Sequence, residues 1–260
     1  MAKILVVAGH TDAEAGRVAE EMKGGSVSFS LLDTASFPQK VRLLNRGGSL
    51  SFSHRKIDTP CVVYVRGLAS HPLMPSLHEE LLKRPRGLIA QCEEKRAFLE
   101  SILLTFQEQG ATLVNSLEAN RQHGCKPYQL RLLQDAGLPV PKWIATNDPK
   151  DVRGFVKQVG RCIYKPLAGG ATVRMVEKAD LSSERLSALD VAPVLFQEYV
   201  EGVSVRAFVV GRRVAAAAEI RSSEIDYRRD EESVEPTRLN PEERRAALAA
   251  ARACGMTFTG

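Results

Sequence analysis

A chain of 260 residues exceeds the usual single-domain size of roughly 100–150 residues, so two or three subdomains around separate cores are expected. With 44% hydrophobic and 26% charged residues it is too apolar for a disordered protein. Its formal charge of +5 suits phosphorylated or acidic ligands and falls short of a nucleic-acid footprint. The five cysteines (Cys61, Cys92, Cys125, Cys162 and Cys254) are scattered and odd in number, which argues against a disulfide framework or a zinc knuckle and fits a reduced cytoplasm.

The apolar run at residues 4–8 stops at Gly9 and His10, well short of a signal-peptide core or a membrane span, and reads as a buried strand. Helical spacing at 13–23 and renewed alternation at 26–32 complete a β-α-β opening. Residues 40–44 and 49–53 flank NRGG and read as a hairpin, and 61–65 supplies a further buried strand. A helix at 91–109 ending before Gly110 and a short strand at 111–114 follow. Continuous apolar strands separated by helices predict a parallel sheet covered on both faces.

A second unit begins near Asn120. Its helix at 126–136 stops in GLPVP, where a glycine and two prolines end it. Strand 143–145, helix 151–159, strand 161–164, a glycine loop and strand 172–177 form an α+β lobe. Three more strands at 194–199, 204–210 and 214–220 follow, the last two joined by Gly211-Arg212, a pair suited to a two-residue turn. The densely charged SSEIDYRRDEE reads as a connection to a helix at 241–254, and GMTFTG heads into another strand. The expected boundaries are 1–119, 120–196 and 197–260.

Chemistry concentrates in this second unit. In YKPLAGGATV, Lys165 ends an apolar strand, and Gly169 and Gly170 would let backbone N–H groups approach an oxyanion that the ammonium neutralises; the alternative is a solvated lysine beside a turn. In FQEYVEGVSVRAFVV, alternation puts Val203, Val205, Ala207 and Val209 on one face and Ser204 and Arg206 on the other. A half-buried Arg206 needs a partner, either a ligand anion or an ion pair with Glu198 or Glu219. Glu198 and Glu201 also fit a solvated strand end, and the charged run at 222–232 fits a solvated loop.

Taken in order, these segments resemble the ATP-grasp superfamily, in particular its peptide-modifying branch of ribosomal-protein glutamate ligases and graspetide (microviridin-type) ligases. HTDAEAGRVAEEM with LLDTASFPQKVRL resembles the N-terminal domain of the graspetide ligases. KPYQLRLLQDAGLPVP resembles the segment carrying the first nucleotide lysine, YKPLAGGATV the second lysine and its flexible loop, and FQEYVEGVSVRAFVVGRRVAAA the adenine hinge. DYRR matches a D-[FWY]-R element of both ligase groups.

The resemblance implies an α/β ATP-grasp fold: an N-terminal parallel α/β domain and two α+β lobes enclosing the nucleotide, the C-terminal one incomplete. It implies that Lys126 and Lys165 contact ATP phosphates, that Gly169 and Gly170 close over them, and that Glu198 and Tyr199 hold adenine largely through main chain. Arg206 and Arg228 would steady the phosphoryl group or an acyl phosphate. Ser204 stands where the glutamate ligases carry an acidic ribose contact. The implied activity is ATP-dependent ligation of a carboxylate to an amine or hydroxyl through an acyl phosphate, on an acidic peptide or protein, by a cytoplasmic protein that forms homo-oligomers in some relatives. Nucleic acid and membrane are not expected partners. The Mg²⁺ ligands of the resemblance, an Asp and a Glu-x-Asn pair, are expected beyond Gly260, so the 260 residues should be a fragment of a longer enzyme or a truncated relative that binds without turnover. A non-catalytic nucleotide- or peptide-binding module and a small-molecule amino-acid ligase remain as alternatives.

Overall fold

The computed structural model describes residues 4–25, 27–68, 74–168, 172–226 and 233–260. They form two compact units, Met1–Leu117 and Glu118–Gly260.

In the first unit β1 (Ile4–Ala8), α1 (Ala13–Gly24), β2 (Phe29–Asp33), β3 (Leu43–Arg46), β4 (Ser49–Phe52), β5 (Arg55–Lys56), β6 (Val62–Val65), α2 (His78–Lys83), α3 (Pro85–Glu108) and β7 (Thr112–Val114) follow one another. The sheet runs β2-β1-β6-β7 with every pairing parallel. The continuous apolar run of β1 explains itself: Val7 packs with Leu103 and Phe106 of α3 in one core, and Val6 and Ala8 pack with Ala15 of α1 in another. Both faces of the sheet are therefore covered, as expected for parallel strands. The hairpin of β3 and β4 turns on Gly47 and Gly48, both at positive φ, the pair that a two-residue turn of type I′ requires.

Two boundaries moved. The helix predicted at 91–109 starts earlier, at Pro85, because a proline at the first helical position lacks no bond it would otherwise make. The strand predicted from residue 40 begins only at Leu43.

In the second unit α4 (Leu117–Arg121), α5 (Lys126–Asp135), β8 (Trp143–Thr146), α6 (Pro149–Val159), β9 (Cys162–Lys165), β10 (Arg174–Met175), α7 (Ser183–Leu186), β11 (Val194–Glu198), β12 (Ser204–Val210), β13 (Arg213–Arg221), β14 (Ser233–Pro236), α8 (Pro241–Ala253) and β15 (Phe258–Thr259) build two antiparallel sheets. Their orders are β10-β9-β11-β8 and β14-β13-β12-β15. α6 is capped by Asp148, whose carboxylate accepts from Lys150 N at 2.7 Å, and buries Val152 and Phe155 against Cys162 and Phe196. Burial there pushes the Cys162 thiol up to about 11, which keeps it neutral.

β12 and β13 meet at a two-residue turn in which Gly211 takes φ 60°. β14 lies just past the charged connection and was not visible in the sequence, where Glu235 and Pro236 mask it as loop. The strand predicted at 172–177 is reduced to Arg174 and Met175.

Candidate functional site

The two sheets of the second unit leave a cavity of about 480 Å³. Strand alternation decides what faces it. On β9 and β11, Cys162, Tyr164 and Phe196 pack against α6, so Ile163, Lys165 and Gln197 turn the other way. Those three side chains line the cavity, and Ile163 lies directly across from Gln197 in the ladder. The crossing segment contributes Tyr199, Val200, Gly202 and Val203. From the second sheet come Ser204 and Ile220, which are cross-strand partners, and the chain beyond β13 adds Arg221, Ser222, Glu224 and Ile225. The wall thus mixes apolar side chains (Ile163, Val200, Val203, Ile220 and Ile225) with an ammonium, a guanidinium, hydroxyls and carboxylates.

Most of the predicted residues can be placed. Lys165 closes β9 and is half-buried in the cavity wall. Lys126 begins α5, and its Nζ donates to the carbonyl of Leu167 at 3.1 Å, so the structure brings the first lysine to the segment that follows the second. Glu198 lines the cavity, but its carboxylate accepts from Lys142 N at 2.8 Å and its own N–H donates to Lys142 O at 2.9 Å. Its side chain is committed elsewhere, so what it offers a ligand is main chain. Tyr199 donates its N–H to Arg161 O at 2.9 Å and carries the Arg161 guanidinium 4.3 Å from its ring centroid, which fixes the crossing segment beside the cavity. Val200 N–H has no acceptor among the described residues. Ser204 sits at the cavity rim.

Arg206 departs from expectation. It is exposed rather than half-buried, because the first half of β12 carries little cover: Val203 and Val205 on the other face are 64% and 49% exposed. It shares a face with Ser204 yet stands outside the cavity wall. The suggested ion pair with Glu219 does not fit the register, which sets Glu219 across from Val205, and Glu219 pairs with Arg221 at 3.0 Å. Gly169, Gly170 and Arg228 lie outside the described residues.

Gln197 escaped the sequence reading, where it looked like one more strand residue. Asp226 was read within the DYRR element but given no role, and the charged run around it also fitted a solvated loop. Asp226 is instead only 4% exposed, and its Oδ2 accepts from Val173 N at 3.1 Å, tying the segment after β13 to the wall beside Lys165. The available signal was the DYRR element, which Asp226 opens.

Residues 125–260 match the model of the RimK-like ATP-grasp domain, which is just over half the chain. The chain belongs to the RimK-like ATP-grasp family. It has the α/β ATP-grasp fold: superposed on the ATP-grasp ligase PsnB, solved with a phosphomimetic variant of minimal precursor, Mg and ADP, it gives a TM-score of 0.91 at 35% identity, covering 100% of this chain and 84% of that one. Among sequence relatives, the "Probable alpha-L-glutamate ligase" of Marinobacter nauticus is 29% identical over 84% of this chain and 76% of its own length. That of Pseudoalteromonas translucida is 30% identical over 62% of this chain, and the match spans only 57% of its length. Among the described residues no group of three or more His, Cys, Asp or Glu could hold a metal ion, so the magnesium ligands of an ATP-grasp site are not assigned to them. No helix among them is long and apolar enough to cross a membrane.

Proposed function

We propose that the chain is the nucleotide-binding part of an ATP-dependent carboxylate ligase acting through an acyl phosphate on acidic groups of a peptide or protein. The observation that carries this reading is the cavity itself: apolar side chains, a crossing segment whose Val200 N–H has no acceptor among the described residues, and Lys165 line one space. The apolar side chains suit a base and the lysine suits phosphates. Lys126, whose Nζ donates to Leu167 O at 3.1 Å, would reach the same phosphates from beside the segment that follows Lys165. Support for a peptide substrate comes from likeness to PsnB, a ligase solved with its precursor.

Phosphoryl transfer asks the protein for position and charge rather than covalent help. In the first step a carboxylate oxygen bonds to the γ-phosphorus as the bond to the β,γ-bridging oxygen breaks, leaving ADP and an acyl phosphate. In the second, an amine nitrogen or hydroxyl oxygen bonds to the acyl carbon, inorganic phosphate departs and the nucleophile loses its proton. Lys126 and Lys165 would offset phosphate charge in the first step, with Arg206 and Arg228 as the candidates for steadying the acyl phosphate. Magnesium, when bound, would add neutralisation of phosphate charge. Ser204 would meet the ribose with a hydroxyl in place of a carboxylate.

The test is ATP consumption by the full product of the reading frame, with and without acidic peptides. Stimulation that drops at least tenfold in Lys165→Ala is expected, in line with the loss of one charge-assisted transition-state contact of about 2–4 kcal/mol. Equal turnover in the variant would sink the assignment, and nucleotide binding without turnover under any peptide would leave a binding module.

A further inference from the structure

The three-stranded sheet β3-β4-β5 of the first unit gathers charge of one sign. From Pro38 to Ile57 the chain carries Lys40, Arg42, Arg46, Arg55 and Lys56 and no carboxylate. All five are exposed and have no carboxylate partner among the described residues; Arg42 donates to Pro38 O at 3.2 Å. Elsewhere in the unit arginines find carboxylates, as Arg17 does with Glu20, Arg66 with Asp12 and Arg96 with Glu100. β3 is also an edge, with β4 as its one ladder partner among the described residues. Residues flanking a two-residue turn exchange hydrogen bonds, so Arg46 and Leu44 bond toward β4, and Arg42 continues the pattern by accepting from Ser53 N at 2.8 Å. The N–H and C=O groups of Leu43 and Asn45 therefore point out of the sheet edge. Leu43, Leu50 and Phe52 pack on the core, which turns Arg42, Leu44 and Arg46 to the outer face, where Leu44 is 48% exposed.

We propose that the β3 edge docks an extended acidic peptide, which pairs its backbone with Leu43 and Asn45 and reads acidic, apolar, acidic at alternate positions against Arg42, Leu44 and Arg46. Cations on an edge ordinarily keep strands from pairing. Toward a second copy of this chain they do so here, because two β3 edges joined antiparallel about Leu44 would set Arg42 against Arg46. Toward a strand of carboxylates the same charges attract, so one device both rejects and selects. The outward main-chain groups decide for a peptide over a nucleic acid, since a polypeptide completes a ladder and a phosphate backbone does not. This surface lies wholly in the first unit and is independent of the nucleotide reading.

The experiment titrates the full chain, at low salt, with a fluorescein-labelled peptide Thr-Thr-Glu-Thr-Val-Thr-Glu-Thr-Thr and follows anisotropy. One control peptide has the same composition with its two glutamates adjacent, and another has lysine in place of glutamate. Wild type is expected to bind the alternating peptide about fivefold more tightly than the adjacent form and to ignore the lysine form. Arg42→Glu and Arg46→Glu should each weaken binding about tenfold, as like charges meet, and two separate reversals guard against one failing to fold. Arg17→Glu, an equally exposed cation on α1, should change affinity by less than about twofold. Bound peptide should also slow hydrogen exchange at the Leu43 and Asn45 amides. No binding by wild type, equal binding of either control peptide, or exchange at Leu43 and Asn45 unaltered by bound peptide overturns the proposal. Tighter binding of single-stranded DNA of equal charge overturns it too, by giving the face to phosphates. ADP titration of the same variants reports separately on the nucleotide site and should not change.

Discussion

The two units treat similar apolar strands in opposite ways. In the first, β1 is buried on both faces: Val7 goes to the core under α3, and Val6 and Ala8 to the core under α1, with all three fully shielded. In the second, Cys162 and Phe196 of β9 and β11 meet α6 on one face, and the opposite face, where Leu195 is fully buried, also carries Ile163, Lys165 and Gln197 into the cavity. The difference follows from topology. Parallel strands are joined by crossovers that lay helices or hairpins over both faces, whereas antiparallel strands can leave one face open. The polar groups His10, Asp33 and Arg66 of the first unit sit at or just past strand ends, whereas in the second Gln197 lies within a strand.

The largest test of this contrast is Phe106→Ala. Phe106 is 1% exposed in the covered core, so its truncation should lower unfolding free energy by about 3–5 kcal/mol, read from urea denaturation. A loss under about 1 kcal/mol would mean that the face is not packed as described. Lys165→Ala is the counterpart on the open face. The melting temperature should hardly move, while affinity for ADP falls about tenfold, or about 1.4 kcal/mol. If the variant instead unfolds and its residual folded fraction binds ADP normally, Lys165 supports the sheet rather than the ligand.

The same contrast explains what was legible in the sequence. Ile4–Ala8 and Val62–Val65 could be read as buried parallel strands because both faces demand apolar residues and leave an unbroken run. Turns with glycine at positive φ, at Gly47, Gly48 and Gly211, were equally plain. Lys126 and Lys165 could be singled out as a pair because their surroundings resemble a family's motifs in order. Arg206 misled: alternation gives its face correctly, but burial depends on what covers that face, and no local pattern reports that. Gln197 was passed over for the converse reason. Its type fits an exposed strand position, and only the ladder, with Ile163 opposite and Phe196 turned away, puts it inside. β14 was lost because Glu235 and Pro236 suit an edge strand no better than a loop, and an edge needs only one partner.

The smallest effect separates strand-end polar groups that lock the fold from those proposed to meet a ligand. Asp33 ends β2, and its Oδ1 accepts from the backbone N–H of His10 at 3.0 Å, Ala35 at 3.1 Å and Ser36 at 3.3 Å, with the His10 ring 3.1 Å from Oδ2. Burial alone would push its pKa up, but the hydrogen bonds from Ser36 and His10 outweigh it and hold the carboxyl below its ordinary value. A folded pKa below the unfolded one, about 3.9, contributes stability that is complete above that value and is lost as pH falls through the folded pKa. Asp33→Asn keeps an acceptor for the turn and removes only the charge. The variant should therefore be slightly less stable than wild type at pH 7, and the gap should close as both are taken toward about pH 3. A gap that widens on acidification would show that the carboxylate is a strained or ligand-directed charge, and would erase the distinction drawn between Asp33 at a covered sheet's edge and Lys165 on an open one.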